Sequence, residues 1–131
     1  MRRRVPMAIA RYGLGIVFFV FGVMQWLDPA SWFGYLPVHG IFGLSDTALV
    51  FMNGTFDLLL GALLLAGLFT RVAAGLAALH LAAVIAFWGF NDVAVRDFGL
   101  LVVAVAVLVN GADDWSADMR MSYSHRFEWV R

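Results

Sequence analysis

Residues 55–71 read TFDLLLGALLLAGLFTR. One carboxylate, Asp57, heads a run of leucine, alanine and glycine that closes on Arg71. In a soluble domain that aspartate could turn to water, so the surrounding composition decides how the run is read. Of 131 residues, 63% are hydrophobic and 14% charged, with a mean hydropathy of +0.85. Ordinary soluble domains are about 45–50% apolar and about 25% charged. The chain reads as an integral membrane protein. Its length suits one domain, with room for roughly four or five apolar segments able to cross a hydrocarbon layer of about 30 Å.

Apolar runs bounded by charges and turn residues predict an all-α, integral membrane four-helix bundle. The spans are placed at about 7–27, 47–69, 72–90 and 97–111, with an outer loop at 28–46 and a tail at 112–131. The fourth span is the weakest. Its apolar part is only about 13 residues, so it crosses only if the flanks lengthen it or the bilayer thins. Asn110 and Gly111 after it read as a helix C-terminus. The 28–46 loop, with Trp32 and Tyr35, reads as an interfacial lid, because such rings favour the headgroup boundary. A gate over a ligand entrance is the functional version of that reading. The tail is open to three readings: an amphipathic piece, a partner contact or a disordered end.

Orientation follows from arginine, since membrane-proximal cytoplasmic segments are enriched in basic residues. With four spans, Arg2, Arg3, Arg4, Arg11, Arg71, Arg120, Arg126 and Arg131 share one side and Arg96 stands alone on the other. That predicts a cytoplasmic N-terminus and C-terminus in the cell (plasma) membrane. The basic start followed by an apolar run also resembles a signal peptide, but Arg11 interrupts the run and no A-x-A site follows it.

Several chemistries are excluded at this stage. Net charge is zero, so no nucleic-acid partner has an electrostatic footprint. There is no cysteine, hence no disulfide, thiolate nucleophile or persulfide chemistry on this chain. His39, His80 and His125 fall in an outer loop, a span and the tail, so no metal site is expected within one protomer. No nucleophile elbow and no phosphate loop occur. The 12 Phe and 5 Trp read as lipid contact and interfacial belt rather than a cofactor box.

Helices in lipid meet through small residues and a few polar ones. Span one offers Arg11, Gly15, Phe18, Gly22 and Gln25 on one face; span two offers Asn53, Gly54, Asp57 and Gly61. Span three carries Ala74, Ala78, Ala82 and Ala86 as a smooth ridge, with His80 on a neighbouring face, and span four repeats Arg96, Val103 and Asn110 by sevens. At about 1.5 Å rise per residue, Asp57 lies about 14 Å and His80 about 15 Å below the outer ends of their spans, so they are level. Asn53, Gln25, Arg96 and Asp97 form a second polar tier nearer the outer surface.

An ionised aspartate facing lipid would cost several kcal/mol, so Asp57 is expected to face protein, protonated or paired. His80 is the first candidate partner and Arg96 the second. An Asp/His pair in a water-poor cavity can relay protons or hold a quinone carbonyl by hydrogen bonds. The plainer reading is interhelical glue worth about 1 kcal/mol or less per bond.

These landmarks resemble the DoxX family of small prokaryotic membrane proteins. The matching segments are RYGLGIVFFVFGVMQW in span one, NGTFDLLLGALLLAGLFTRVAAGLAAL across spans two and three, VRDFGLLVVAVAVLVNG in span four, and WSAD at 115–118. Most specific is the order Asp57, Gly61, Gly67, Arg71, followed by Arg96 and Asp97. The resemblance implies a four-helix membrane bundle. Some relatives look like the small subunit of a thiosulfate:quinone oxidoreductase, and others are linked to redox and thiol-stress complexes. Relatives often carry Glu at the position of Asp57 and Lys at that of Gln25. The expected function is an integral membrane, oxidoreductase-associated subunit of a redox-linked complex, quinone-facing, with catalysis on a soluble or membrane partner subunit. Alternatives are a carrier or binding protein for a small lipophilic ligand, and a purely structural anchor. The candidate ligand-binding residues are Asp57, His80, Asn53, Gln25, Arg96 and Asp97. Quinone is the one cofactor considered, none is expected to be covalently bound, and a homo-oligomer is among the expected assemblies.

Overall fold

The structure, a computed structural model, describes residues 5–36 and 39–120. Arg2, Arg3 and Arg4, and the tail from 121 with His125, Arg126 and Arg131, lie outside the described residues. The described residues form four long helices: α1 Val5–Leu27, α2 Asp46–Ala66, α3 Thr70–Trp88 and α4 Asp92–Asn110. A short α5, Ala117–Arg120, follows, and two 3-10 turns, Pro29–Tyr35 and Ile41–Gly43, lie between α1 and α2. No strand occurs among the described residues.

Each helix boundary has a local cause. Ser45 caps α2 by accepting from the Ala48 amide at 3.2 Å, and Asn91 caps α4 by accepting from Ala94 at 2.9 Å. Asp46 and Asp92 in the first turns face the positive ends of the helix dipoles. Gly67 ends α2 in the left-handed region at φ 71°, with Gly67 and Leu68 amides returning to the Leu64 and Leu63 carbonyls. A side chain at 67 would also run into Ser116. The fourth helix begins five residues before the expected 97, because Asn91 starts the turn and Arg96 and Asp97 are carried inside it. The second ends at Ala66 rather than 69, because Gly67 stops it.

The most extensive packing pairs α1 with α2 and α3 with α4, and α1 against α4 and α2 against α3 join the two hairpins. The shared core is Leu14, Phe18, Leu60, Leu64, Ala73, Ala74, Ala77, Leu81, Ala104 and Val107. The α1 stripe Arg11, Gly15, Phe18, Gly22 and Gln25 is buried as expected. Gly61 brings α2 onto α1 so closely that a Cβ there would lie 2.5 Å from the Phe19 amide nitrogen. The expected stripes on α3 and α4 are corrected. Ala82 and Ala86 are exposed, and the inward face is Ala73, Ala74, Ala77 and Leu81; on α4 it is Ala94, Asp97, Ala104 and Val107, with Arg96 and Asn110 outside. Between Val72 and Trp88, His80 apart, and between Phe98 and Val109 the helices are apolar on every side, so hydrophobicity alone does not fix their rotation there.

Three helices, Val5–Leu27, Asp46–Ala66 and Thr70–Phe87, are long and apolar enough to cross a membrane. Their outer faces carry exposed Ile9, Ile16, Leu59, Leu79 and Phe87. Apolar residues inside and outside alike suit a lipid solvent, where small residues and polar bonds hold helices together. α4 has 19 residues, with Asp92, Arg96 and Asp97 in its first two turns.

A closed polar cluster ties the end of the molecule where α1 begins and α2 stops. Arg11, fully buried, donates to Asp113 through Nε at 2.6 Å and Nη2 at 3.2 Å, and through Nη1 to the Leu64 and Leu65 carbonyls at 2.5 and 3.1 Å. Those carbonyls belong to the last turn of α2, which has no basic residue of its own. Asp118 does the converse for α3, accepting from the Phe69 amide at 2.8 Å, the Thr70 amide at 2.7 Å and the Thr70 hydroxyl at 2.7 Å. The tail is therefore not loose over 112–119: Asp113, Ser116 and Asp118 are all buried against the helix ends.

Two outcomes are expected. Arg11→Leu leaves buried Asp113 without its cation and with the Trp115 amide as its remaining donor, and should lower unfolding free energy by about 3–5 kcal/mol, whereas Arg11→Leu with Asp113→Leu should regain most of it. Asp118→Ala should cost about 0.5–2 kcal/mol through loss of the α3 cap. Denaturant titration of the purified protein in micelles measures both.

Candidate functional site

Each polar residue of the site is delivered by a helix position already fixed by packing. Gln25 ends the buried α1 stripe, and Asn53 and Asp57 lie one turn apart on α2. His80 projects from α3, and Arg96 and Asp97 from α4. The carboxylate of Asp57, 4% exposed, faces protein and not lipid. Its Oδ2 accepts from Gln25 Nε2 at 2.8 Å and Asn53 Nδ2 at 3.3 Å. Asn53 Nδ2 also donates to Gln25 Oε1 at 2.7 Å, and Gln25 Nε2 to the Phe21 carbonyl at 3.1 Å. The side-chain N–H groups of Gln25 and Asn53 are thus spent inside the cluster.

The second oxygen differs. Asp57 Oδ1 is buried and has no hydrogen-bond partner among the described residues. His80 Nε2 stands 3.5 Å from it, too far for a good hydrogen bond but close for charges. The imidazole is held between Phe18 and Phe56, with ring centroids at 6.2 and 5.2 Å. The expectation that Asp57 and His80 are level is met by this contact. The expected division into two tiers is not, because Gln25 and Asn53 bond Asp57 directly. Arg96 reaches its neighbour Asp97, Nε to Oδ1 at 3.5 Å, and not Asp57; its side chain is 58% exposed while that of Asp97 is 7% exposed.

All six residues line one cavity of about 290 Å³. Phe18 and Phe21 of α1, Phe87 of α3, and Trp32 and Tyr35 of the first 3-10 turn supply aromatic walls. Phe18 lies on the α1 stripe that the sequence marks as inward, and Trp32 and Tyr35 in the loop it marks as a lid; Phe21 and Phe87 fall under the general reading of aromatics as lipid contact and belt. The spacing of Phe21, four residues before Gln25, is the available signal, since it places the ring on the Gln25 side of the helix. Trp32 packs edge-on to Phe21 at 5.6 Å and against Tyr35 at 5.4 Å, which seats the turn over the cavity as a lid. Arg96 lies 5.8 Å over the Phe21 ring at the same end. Among the described residues, no group of three His, Asp, Glu or Cys side chains could hold a metal ion.

These features define a helical membrane protein whose buried polar residues gather around an internal cavity with aromatic walls. The chain belongs to the DoxX family, whose profile matches residues 7–90, from the first helix to the end of the third. Comparison with curated proteins and with solved structures gave no match.

Gln25→Leu removes the shorter of the two bonds to Asp57 Oδ2 and strips Asn53 of the nearer of its two acceptors. It should lower unfolding free energy by about 1–3 kcal/mol, the cost of buried polar groups left unmade. His80→Ala, which breaks no hydrogen bond to Asp57, should cost less. Parallel denaturant titrations in micelles give the ranking, and an unchanged Gln25→Leu midpoint would contradict it.

Proposed function

We propose that this protein is a four-helix membrane bundle with both termini on the cytoplasmic side of the plasma membrane. It serves as the quinone-facing integral subunit of a redox-linked complex, with electron and sulfur chemistry carried by a partner polypeptide. The arginine asymmetry, eight residues against one, supports the orientation. A chain without cysteine lacks the usual sulfur-handling nucleophile, which supports chemistry on a partner.

One observation carries the quinone reading. Asp57 and His80, with Oδ1 and Nε2 3.5 Å apart, both line a cavity of about 290 Å³ that is otherwise largely apolar and aromatic. Ligand sites for ring compounds have this make-up: flat apolar surface for the ring, a few placed polar groups for its oxygens, and volumes from about 300 Å³ upward. A quinone carbonyl accepts hydrogen bonds, and an imidazole N–H at this position can donate one. The Trp32 and Tyr35 lid would close the ring off from headgroup water.

The test is saturable binding of a short-chain benzoquinone to the purified protein in micelles, followed by quenching of tryptophan fluorescence. His80→Ala should weaken binding about tenfold, equivalent to about 1.4 kcal/mol. Val84→Trp, which fills the cavity, should abolish it, with the unfolding midpoint retained in both. Binding that survives Val84→Trp would place the quinone elsewhere. A tightly retained lipid in the cavity, displaced by no quinone, would favour a lipophilic-ligand carrier instead.

A further inference from the structure

The same pair of atoms says more about the ligand than its ring. Asp57 Oδ1 and His80 Nε2 are 3.5 Å apart, so neither satisfies the other well, and both residues line one cavity. Oδ1 is a buried acceptor with no hydrogen-bond partner among the described residues. The side-chain N–H groups of Gln25 and Asn53 are turned to Oδ2, to Gln25 Oε1 and to the Phe21 carbonyl. What the cavity presents here is one acceptor beside one ring nitrogen.

A single hydroxyl group completes that arrangement. Its O–H can donate to Asp57 Oδ1 while its oxygen accepts from His80 Nε2–H. A carbonyl oxygen can only accept. It would satisfy His80 and leave Asp57 Oδ1 buried without a donor, at the cost of a buried hydrogen bond left unmade. Asp97, whose side chain is 7% exposed on the same cavity, is a second carboxylate, and Arg96 is engaged with it at the rim. The inner wall is accordingly richer in acceptors than in free donors.

We propose that the site selects the hydroxylated, reduced form of its ring ligand, a hydroquinone or related phenol, over the corresponding quinone, through a hydroxyl bridging Asp57 Oδ1 and His80 Nε2. This rests on the ring-ligand reading above and adds which oxidation state the protein holds. Sites built to hydrogen-bond a hydroxyl reject analogues lacking it far more strongly than apolar pockets reject a changed shape.

The experiment compares three probes on one preparation of purified wild-type protein under argon: a short-chain benzoquinone, its hydroquinone, and the dimethyl ether of that hydroquinone. The hydroquinone should bind at least about tenfold more tightly than the quinone, and the ether, which keeps the ring but has no O–H, should bind no better than the quinone. Asp57→Asn should weaken the hydroquinone about tenfold while changing quinone affinity less than about threefold. Because each preference is a ratio measured on one preparation, partial unfolding of a variant lowers the number of sites without altering the ratio. Equal binding of quinone and hydroquinone, or equal binding of hydroquinone and ether, would overturn the selectivity and leave the ring-ligand reading standing. Absence of saturable binding by all three would overturn that reading itself, and the selectivity with it.

Discussion

The buried guanidinium of Arg11 is the fixture on which the arrangement of helices depends. In a hydrocarbon solvent no water relieves an unpaired charge or an orphaned carbonyl, so such a group must find every partner within the protein. Arg11 finds a carboxylate 102 residues away and two carbonyls at the end of the adjacent helix. One side chain thereby sets where α1 lies against α2 and where the chain after α4 must return. Asp118 repeats the principle with opposite sign at the start of α3. Together they turn a set of uniformly apolar helices, which could slide or rotate at little cost, into one register.

The second polar cluster is built differently. At the Arg11 end both oxygens of Asp113 and all three guanidinium nitrogens are engaged. At Asp57 one oxygen is saturated and the other is left buried beside an imidazole, with no hydrogen-bond partner among the described residues. A carboxylate kept only for adhesion between helices would be expected to spend both oxygens on protein donors. The saturated half explains why Asp57 can be buried at all. The unsaturated half is the reason to read the cavity as a site and not as a packing fault.

How far the sequence was legible depended on whether a residue stood out from its surroundings. Rise along two helices places Asp57 and His80 level, because each is the lone ionisable residue in its apolar run. The α1 stripe was legible because Arg11, the glycines and Gln25 contrast with the aromatic and β-branched residues between them. On α3 and α4 the contrast fails. Alanine and valine occur on every face, and the inward sides fell one residue away from the stripes drawn on spacing alone. The direct bonds from Gln25 and Asn53 to Asp57 were hidden for another reason: depth along a helix does not say how far a side chain leans toward its neighbour.

By itself, the amino-acid sequence determined a helical membrane protein, the approximate extent of its long helices, and the inward facing of Asp57, because composition and the cost of charge in lipid act on each segment independently. The tertiary structure alone decided the pairing of Arg11 with Asp113, the capping of α3 by Asp118, the aromatic lid, and the division of Asp57 into a spent oxygen and an open one. Those are contacts between residues far apart in the chain, with distances set by helix rotation and tilt. Neither quantity is written in the order of residues along any single helix.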